Sequence, residues 1–198
     1  MEDRETLSVY DAKADEYANM VSSPKPDRHL SAFMDALPKG ARVLDLGCGP
    51  GRSAQFMTDA GFAVEAWDAS PEMARLGHET YGLDVQVKGF SDLNAAAVYD
   101  GIYANFSLLH APKAEMPGHL NRIATALCSG GQFHIGTKTG KGEKRDPLGR
   151  FYAYYTDVEL TGLLGDVGLT VKSRATGADV GLDGVEAPWI IMRATLDG

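Results

Sequence analysis

Apolar residues recur at helical spacing over residues 5–21, where Leu7, Tyr10, Ala14, Tyr17, Ala18 and Val21 fall on one side of a helix. Pro24 and Pro26 break that pattern. A second amphipathic stretch over 27–37 carries Leu30, Phe33, Met34 and Leu37, and Pro38-Lys39-Gly40 ends it. From residue 42 the pattern changes to short apolar runs alternating with amphipathic segments. Strands are expected at 42–47, 63–68, 84–89, 101–106 and 132–137, with helices over 52–60, from Ser70-Pro71-Glu72 onward, and over 116–128. Residues 138–150 hold three glycines, a proline and several charges, and read as a long loop. Thr156-Asp157-Val158-Glu159 supplies the cap and first-turn acids of another helix ending near Gly168. A strand then begins at Val171, and the last one centres on Trp189-Ile190-Ile191-Met192. The alternation predicts an α/β fold with a doubly wound, seven-stranded, mostly parallel sheet. The 175–187 connection shows no helical pattern, which suits an antiparallel pair at one edge and an antiparallel last strand. One domain is expected, with two N-terminal helices in 1–38 ahead of a core over 41–198.

The chemistry is densest where the first strand ends. Val43, Leu44 and Leu46 suit a buried parallel strand, and Asp45-Leu46-Gly47-Cys48-Gly49-Pro50-Gly51 follows directly. Glycine lets a ligand approach the backbone closely, and the helix opening at Arg52 offers unpaired N–H groups at its N-terminus. Strand, glycine loop and helix open a sheet whose ligands bind at the carboxyl ends of the strands. A dinucleotide fingerprint starting at Gly47 requires glycine at 52, where this chain has Arg52. Asp45 also sits badly beside a pyrophosphate and better beside an ammonium group.

Charge and cysteine usage narrow the partners. The net charge of −8, from 27 acids against 19 Lys and Arg in 198 residues, disfavours a broad nucleic-acid surface. Cys48 and Cys128 have neither zinc nor redox spacing and read as reduced thiols of a cytoplasmic protein. The charged N-terminus lacks a signal-peptide apolar region, and no apolar run approaches the ~20 residues of a membrane span. No metal site is expected.

The chain resembles the class I S-adenosylmethionine-dependent methyltransferases, in particular their small-molecule type. The resemblance is carried by Val43–Gly51, Asp68 at the end of the second strand, Ser91-Asp92-Leu93 after the third, and Tyr99-Asp100-Gly101-Ile102 leading to Ser107-Leu108-Leu109-His110. Gly149-Arg150-Phe151-Tyr152 and Tyr155-Thr156 look like a late segment of such members. The family then implies S-adenosylmethionine as cofactor, S-adenosylhomocysteine as product and the N-terminal helices as a lid. Asp45 and the backbone of Leu46, Gly47, Cys48, Gly49 and Gly51 would hold the methionine portion. Asp68, 17 residues after Gly51 and followed by Ala69, would accept from both ribose hydroxyls. Ser91, Asp92 and Leu93 would border the adenine, unless they form an ordinary Asx turn, and Met73 would cover its face or simply fill a helix core. Asn105, Phe106 and Ser107 would underlie the sulfonium. Asn105-Phe106-Ser107 departs from the Asn/Asp-Pro-Pro motif of nucleic-acid amino-methylating members, so no nucleic acid is expected as acceptor. Tyr17 resembles a lid tyrosine, or packs as an amphipathic helix residue.

Methyl transfer from a sulfonium is an in-line displacement in which the protein mainly positions and desolvates the partners. His110 is the candidate base, with a packed loop histidine as the alternative. Tyr152 and Tyr155 are candidates for an acceptor wall, and Arg150 either clamps an anionic acceptor or belongs to a solvated charged loop. A small-molecule acceptor is expected. A catalytically idle cofactor-binding protein and a nicotinamide oxidoreductase stay open as alternatives, the second disfavoured by Arg52.

Overall fold

The computed structural model describes residues 3–197. Three helices come first: α1 (Arg4–Ala12), α2 (Ala14–Met20) and α3 (Arg28–Asp35). Then follow β1 (Arg42–Leu46), α4 (Arg52–Asp59), β2 (Ala63–Asp68), α5 (Pro71–Tyr81), β3 (Val85–Val87) and β4 (Tyr99–Asn105). The second half contains α6 (Met116–Ala126), β5 (Leu127–Lys138), β6 (Glu143–Arg145), β7 (Phe151–Ala153), α7 (Asp157–Gly165), β8 (Leu169–Val180) and β9 (Glu186–Leu196). Seven strands form one sheet in the order β3-β2-β1-β4-β5-β9-β8, and β9 alone runs antiparallel to its neighbours. The order reverses between β1 and β4, which opens a crevice at their carboxyl ends.

Side-chain alternation along β1 divides the core. Leu44 and Leu46 face the cluster that includes Leu120 and Ile123 of α6 and Leu160 and Leu164 of α7. Val43 points the other way, into Leu30 and Phe33 of α3, Met57 of α4 and Tyr103 of β4. Local chemistry fixes the helix starts: Asp27 accepts from the N–H groups of His29 and Leu30, Ser70 from that of Met73, and Thr156 from that of Glu159. Among the described residues, no helix is long and apolar enough to cross a membrane.

Four departures from the sequence pattern have structural causes. The 5–21 helix is broken at Lys13, and both halves pack on α5. β5 begins at Leu127, directly after α6, because Leu127 pairs with Tyr99 before the ladder resumes at Gly101 and Gln132. Residues 138–150 are not wholly loop, since Glu143–Arg145 pairs with Phe151–Ala153 in a separate two-stranded sheet. The 175–187 connection is mostly strand: β8 and β9 stay paired from Leu169↔Leu196 out to Val180↔Glu186, so their hairpin overhangs the sheet edge.

Phe33 is fully buried and meets the rings of Tyr103 and His134 at 5.2 and 6.1 Å. Phe33→Ala should lower stability by about 3–5 kcal/mol in urea unfolding; a loss under about 1 kcal/mol would show that α3 contributes little to the core.

Candidate functional site

The loop from β1 to α4 is shaped by what stands against it. Gly47 has φ +76°, and a Cβ there would lie 2.3 Å from the Ser107 Cβ. The same position at Gly49, φ +56°, would lie 3.3 Å from Tyr17 Cε1 on α2. Both glycines therefore satisfy a left-handed backbone and a close approach together. The loop's interior is held from β2: the N–H groups of Gly47 and Cys48 donate to the Trp67 carbonyl at 2.8 and 2.9 Å. Asp68 accepts from Gly49 N–H at 2.7 Å with one oxygen and from Ser70 N–H at 2.9 Å with the other. Burial raises its pKa. Across the crevice Ser107 Oγ donates to the Leu46 carbonyl at 2.7 Å, and Phe106 holds φ +55°, an uncommon conformation for an aromatic residue.

A cleft of about 790 Å³ opens over this floor. Gly47, Gly49, Asp68, Ala69 and Met73 line one side, and Asn105, Phe106, Ser107 and His110 line the other. Tyr10 of α1 and Tyr17 of α2 complete the lining. The N-terminal segment is tied down polarly. Ser70 Oγ hydrogen-bonds to Asp11 of α1, and the Arg52 guanidinium donates to the Ser23 carbonyl while stacking over the Phe56 ring. The residue that breaks the dinucleotide fingerprint thus fastens the segment between α2 and α3 to α4.

Several sequence-derived site residues lie elsewhere. Asp45 shares the face of Val43 and does not line the cleft, with Ala54 N–H as its backbone partner and Oδ2 without one. Burial, and then the Asp68 charge, push its pKa up to about 8. Leu46 is core, while Cys48 packs against the small cluster of Ala54, Ala66 and Val85. Gly51 caps α4 against Leu83. Ser91 and Asp92 are exposed, with the Asp92 carboxylate accepting from Gly89 N–H at 2.9 Å to close its own turn, and Leu93 is core. Lys88, Gly89 and Phe90 form that part of the cleft wall instead. At Asp92 the turn is the alternative that holds, and the sequence does not separate the two because an Asx-type turn and a ligand contact use the same residue types.

A second cleft of about 950 Å³ adjoins the first. Tyr10, Tyr17, Asn105, Phe106 and His110 line both and form their common wall. Lys138, Arg150, Tyr152 and Trp189 line the second alone, with the overhanging turn from Asp179 to Leu182. Tyr155 is absent from it, being fully buried in the main core under the Lys113 ammonium. Lys138, Trp189 and the hairpin turn were not legible as site residues, since only the β5–β9 register and the strand overhang bring them here.

The common wall is braced by a hydrogen-bonded chain. Arg150, 2% exposed, gives Nε to Asp146 at 2.8 Å and Nη1 to the Tyr10 hydroxyl at 3.2 Å. His110 Nδ1 lies 2.7 Å from the Phe151 carbonyl, so it carries the proton, and Nε2 accepts from Tyr10 OH at 2.9 Å. Burial lowers the His110 pKa to about 4. Neither ring nitrogen is free, and the Arg150 guanidinium is engaged internally rather than held out for an anion. No cluster of three or more His, Cys, Asp or Glu suited to a metal ion occurs among the described residues.

Known proteins resemble this chain in sequence and in fold. The profile of a family described as a methyltransferase domain matches residues 17–173. An uncharacterized methyltransferase of Staphylococcus carnosus is 28% identical over 146 residues, 66% of this chain and 70% of that protein. Trans-aconitate 2-methyltransferase of Mycolicibacterium gilvum is 37% identical over 91 residues, 45% of this chain and 34% of the relative, so the match spans about a third of that protein's length. In fold, the chain superposes with a TM-score of 0.75 and 23% identity on Burkholderia thailandensis 1,6-didemethyltoxoflavin-N1-methyltransferase, solved with 1,6-didemethyltoxoflavin and S-adenosylhomocysteine, covering 98% of this chain and 88% of that one.

Gly47→Ala should lower stability by about 2 kcal/mol or more, and adding Ser107→Gly should restore part of it by removing the clash while leaving the backbone strain; equal stability of the single and double variants in urea unfolding would contradict the close approach. The buried histidine adds a pH signature. Its folded pKa of about 4 lies below the ordinary 6.5, so the unfolded chain takes the proton first as pH falls. The stability due to neutral His110 is complete above 6.5 and is lost between 6.5 and about 4. His110→Asn should therefore lose stability less steeply than the parent over that window, and parallel profiles would contradict the burial.

Proposed function

The chain belongs to the class I S-adenosylmethionine-dependent methyltransferases, and we propose that it carries the donor's methyl group to a small molecule seated in the second cleft. S-adenosylmethionine is its cofactor and S-adenosylhomocysteine the product. The observation that carries the acceptor reading is the common wall, because two adjoining clefts at the carboxyl ends of β1 and β4 suit two reactants that must meet. The Burkholderia enzyme whose fold this chain shares acts on a small molecule, in keeping with this reading.

The first cleft suits the donor on chemical grounds. The Asp68 carboxylate lines it and accepts only, with two oxygens, as a ribose diol requires. Gly47 and Gly49 remove the side chains that would bar a ligand from the loop. In this proposal Ala69 and Met73 border the adenosine, Tyr17 covers the methionine portion, and Asn105, Phe106 and Ser107 underlie the reacting centre. Asp45, Leu46, Cys48 and Gly51 support the loop from beneath or behind. When bound, the donor supplies a methyl group activated by its sulfonium.

The chain's own contribution is position and dryness. The buried His134 holds Asn105 through Nε2 and Oδ1 at 3.0 Å. The Tyr10 and Tyr17 rings exclude water from above. We assign His110 a positioning role: its lone pair accepts from Tyr10, and its lowered pKa makes it a poor proton acceptor at neutrality.

Asp68→Ala should weaken S-adenosylhomocysteine binding in calorimetry by about tenfold or more, with cooperative thermal unfolding retained. Unchanged affinity would overturn the donor assignment of the first cleft. Labelled methyl appearing in a protein or nucleic-acid fraction, and never in small molecules, would overturn the acceptor class.

A further inference from the structure

Among the described residues, the second cleft contains one cation that no carboxylate pairs at close range. Lys138 ends β5, and its Nζ stands 4.1 Å from the centre of the Tyr152 ring. Among the described residues no carboxylate lies within ion-pair distance of it. The cleft's other charges are engaged. Arg150 is paired with Asp146 and donates to Tyr10, while Asp179 accepts from Trp189 Nε1 at 2.7 Å. Asp183, in the hairpin turn, acts on Lys138 only at longer range and accepts from Val185 N–H.

The walls around this cation are flat and aromatic. Trp189 is the direct cross-strand partner of Lys138, and its indole lies against Gly177 of β8 with Nε1 on Asp179. Phe106 meets the Trp189 ring edge-on at 6.5 Å and 80°, and Tyr152 lies beneath the ammonium. Aromatic faces bury planar ligands well, while an anion on the ligand would return to the half-buried ammonium what it loses in hydration.

Resting on the reading of the second cleft as the acceptor's, we propose that Lys138 determines specificity there, selecting a small aromatic acceptor that bears a carboxylate or like anionic group. Arg150, the more obvious anion clamp in the sequence, instead braces the wall through Tyr10. Lys138→Met keeps the apolar stem and removes the charge, so it separates recognition from packing.

The test is calorimetric titration of the whole protein, saturated with S-adenosylhomocysteine, against hydroxybenzoates and indole carboxylates paired with their primary amides. At least one carboxylate should bind about tenfold or more tightly than its amide. Lys138→Met should abolish that preference while amide and S-adenosylhomocysteine affinities stay within about twofold of the parent. No carboxylate preference in the parent, or a preference surviving in Lys138→Met, would overturn the proposal while leaving the donor site standing. Failure of the parent to bind S-adenosylhomocysteine at all would overturn the underlying reading and this proposal with it.

Discussion

Ser107 occupies the space that any side chain at position 47 would need, and most of the site depends on that contact. It brings the ends of β1 and β4 together where the strand order reverses, with the Ser107 hydroxyl on the Leu46 carbonyl as its polar clasp. The glycine loop is thereby pressed down and its N–H groups turned toward β2. The chain after β4 is forced through a left-handed turn at Phe106, which sets Phe106 and His110 between the two clefts. Moving this contact by a methyl group would disturb the loop and the common wall together.

Helix α1 is coupled to the same wall by a different interaction. Tyr10 of α1 stands between Arg150 and His110, and Thr6 one turn earlier accepts from Phe151 N–H at 2.8 Å. The N-terminal helix is thus stitched to β7 rather than merely resting on α5. Asp3 extends the stitch to Arg145, whose hydrogen bonds hold the carboxyl well below the usual carboxylate range.

Local sequence made some of this readable and hid the rest for one physical reason. The β1 run, the glycine spacing, Asp68 and the Ser70-Pro71 helix start each depend on neighbours in the chain, and each was legible there. The second cleft depends on contacts made at long range. Lys138 meets Trp189 only through strand register, and the hairpin turn reaches the cleft only because β8 and β9 pair beyond the sheet edge. Tyr155 and Arg150 carried plausible chemistry in the sequence, yet one is core and the other is held by Asp146 four residues away. Asp45 shows the same limit from the other side, because strand alternation sends its carboxyl to Ala54 N–H on the α4 face, beneath the loop rather than into the cleft lining.

Two reactants, two clefts and one dividing wall make up the central claim, and a crystal structure of the protein grown with S-adenosylhomocysteine tests it most directly. The account predicts the ligand wholly within the first cleft, its ribose against Asp68 and its adenine near Met73, with its sulfur facing the wall of Asn105 and Phe106 and the second cleft left open. Density for the same ligand in the second cleft, or spanning both, would contradict it.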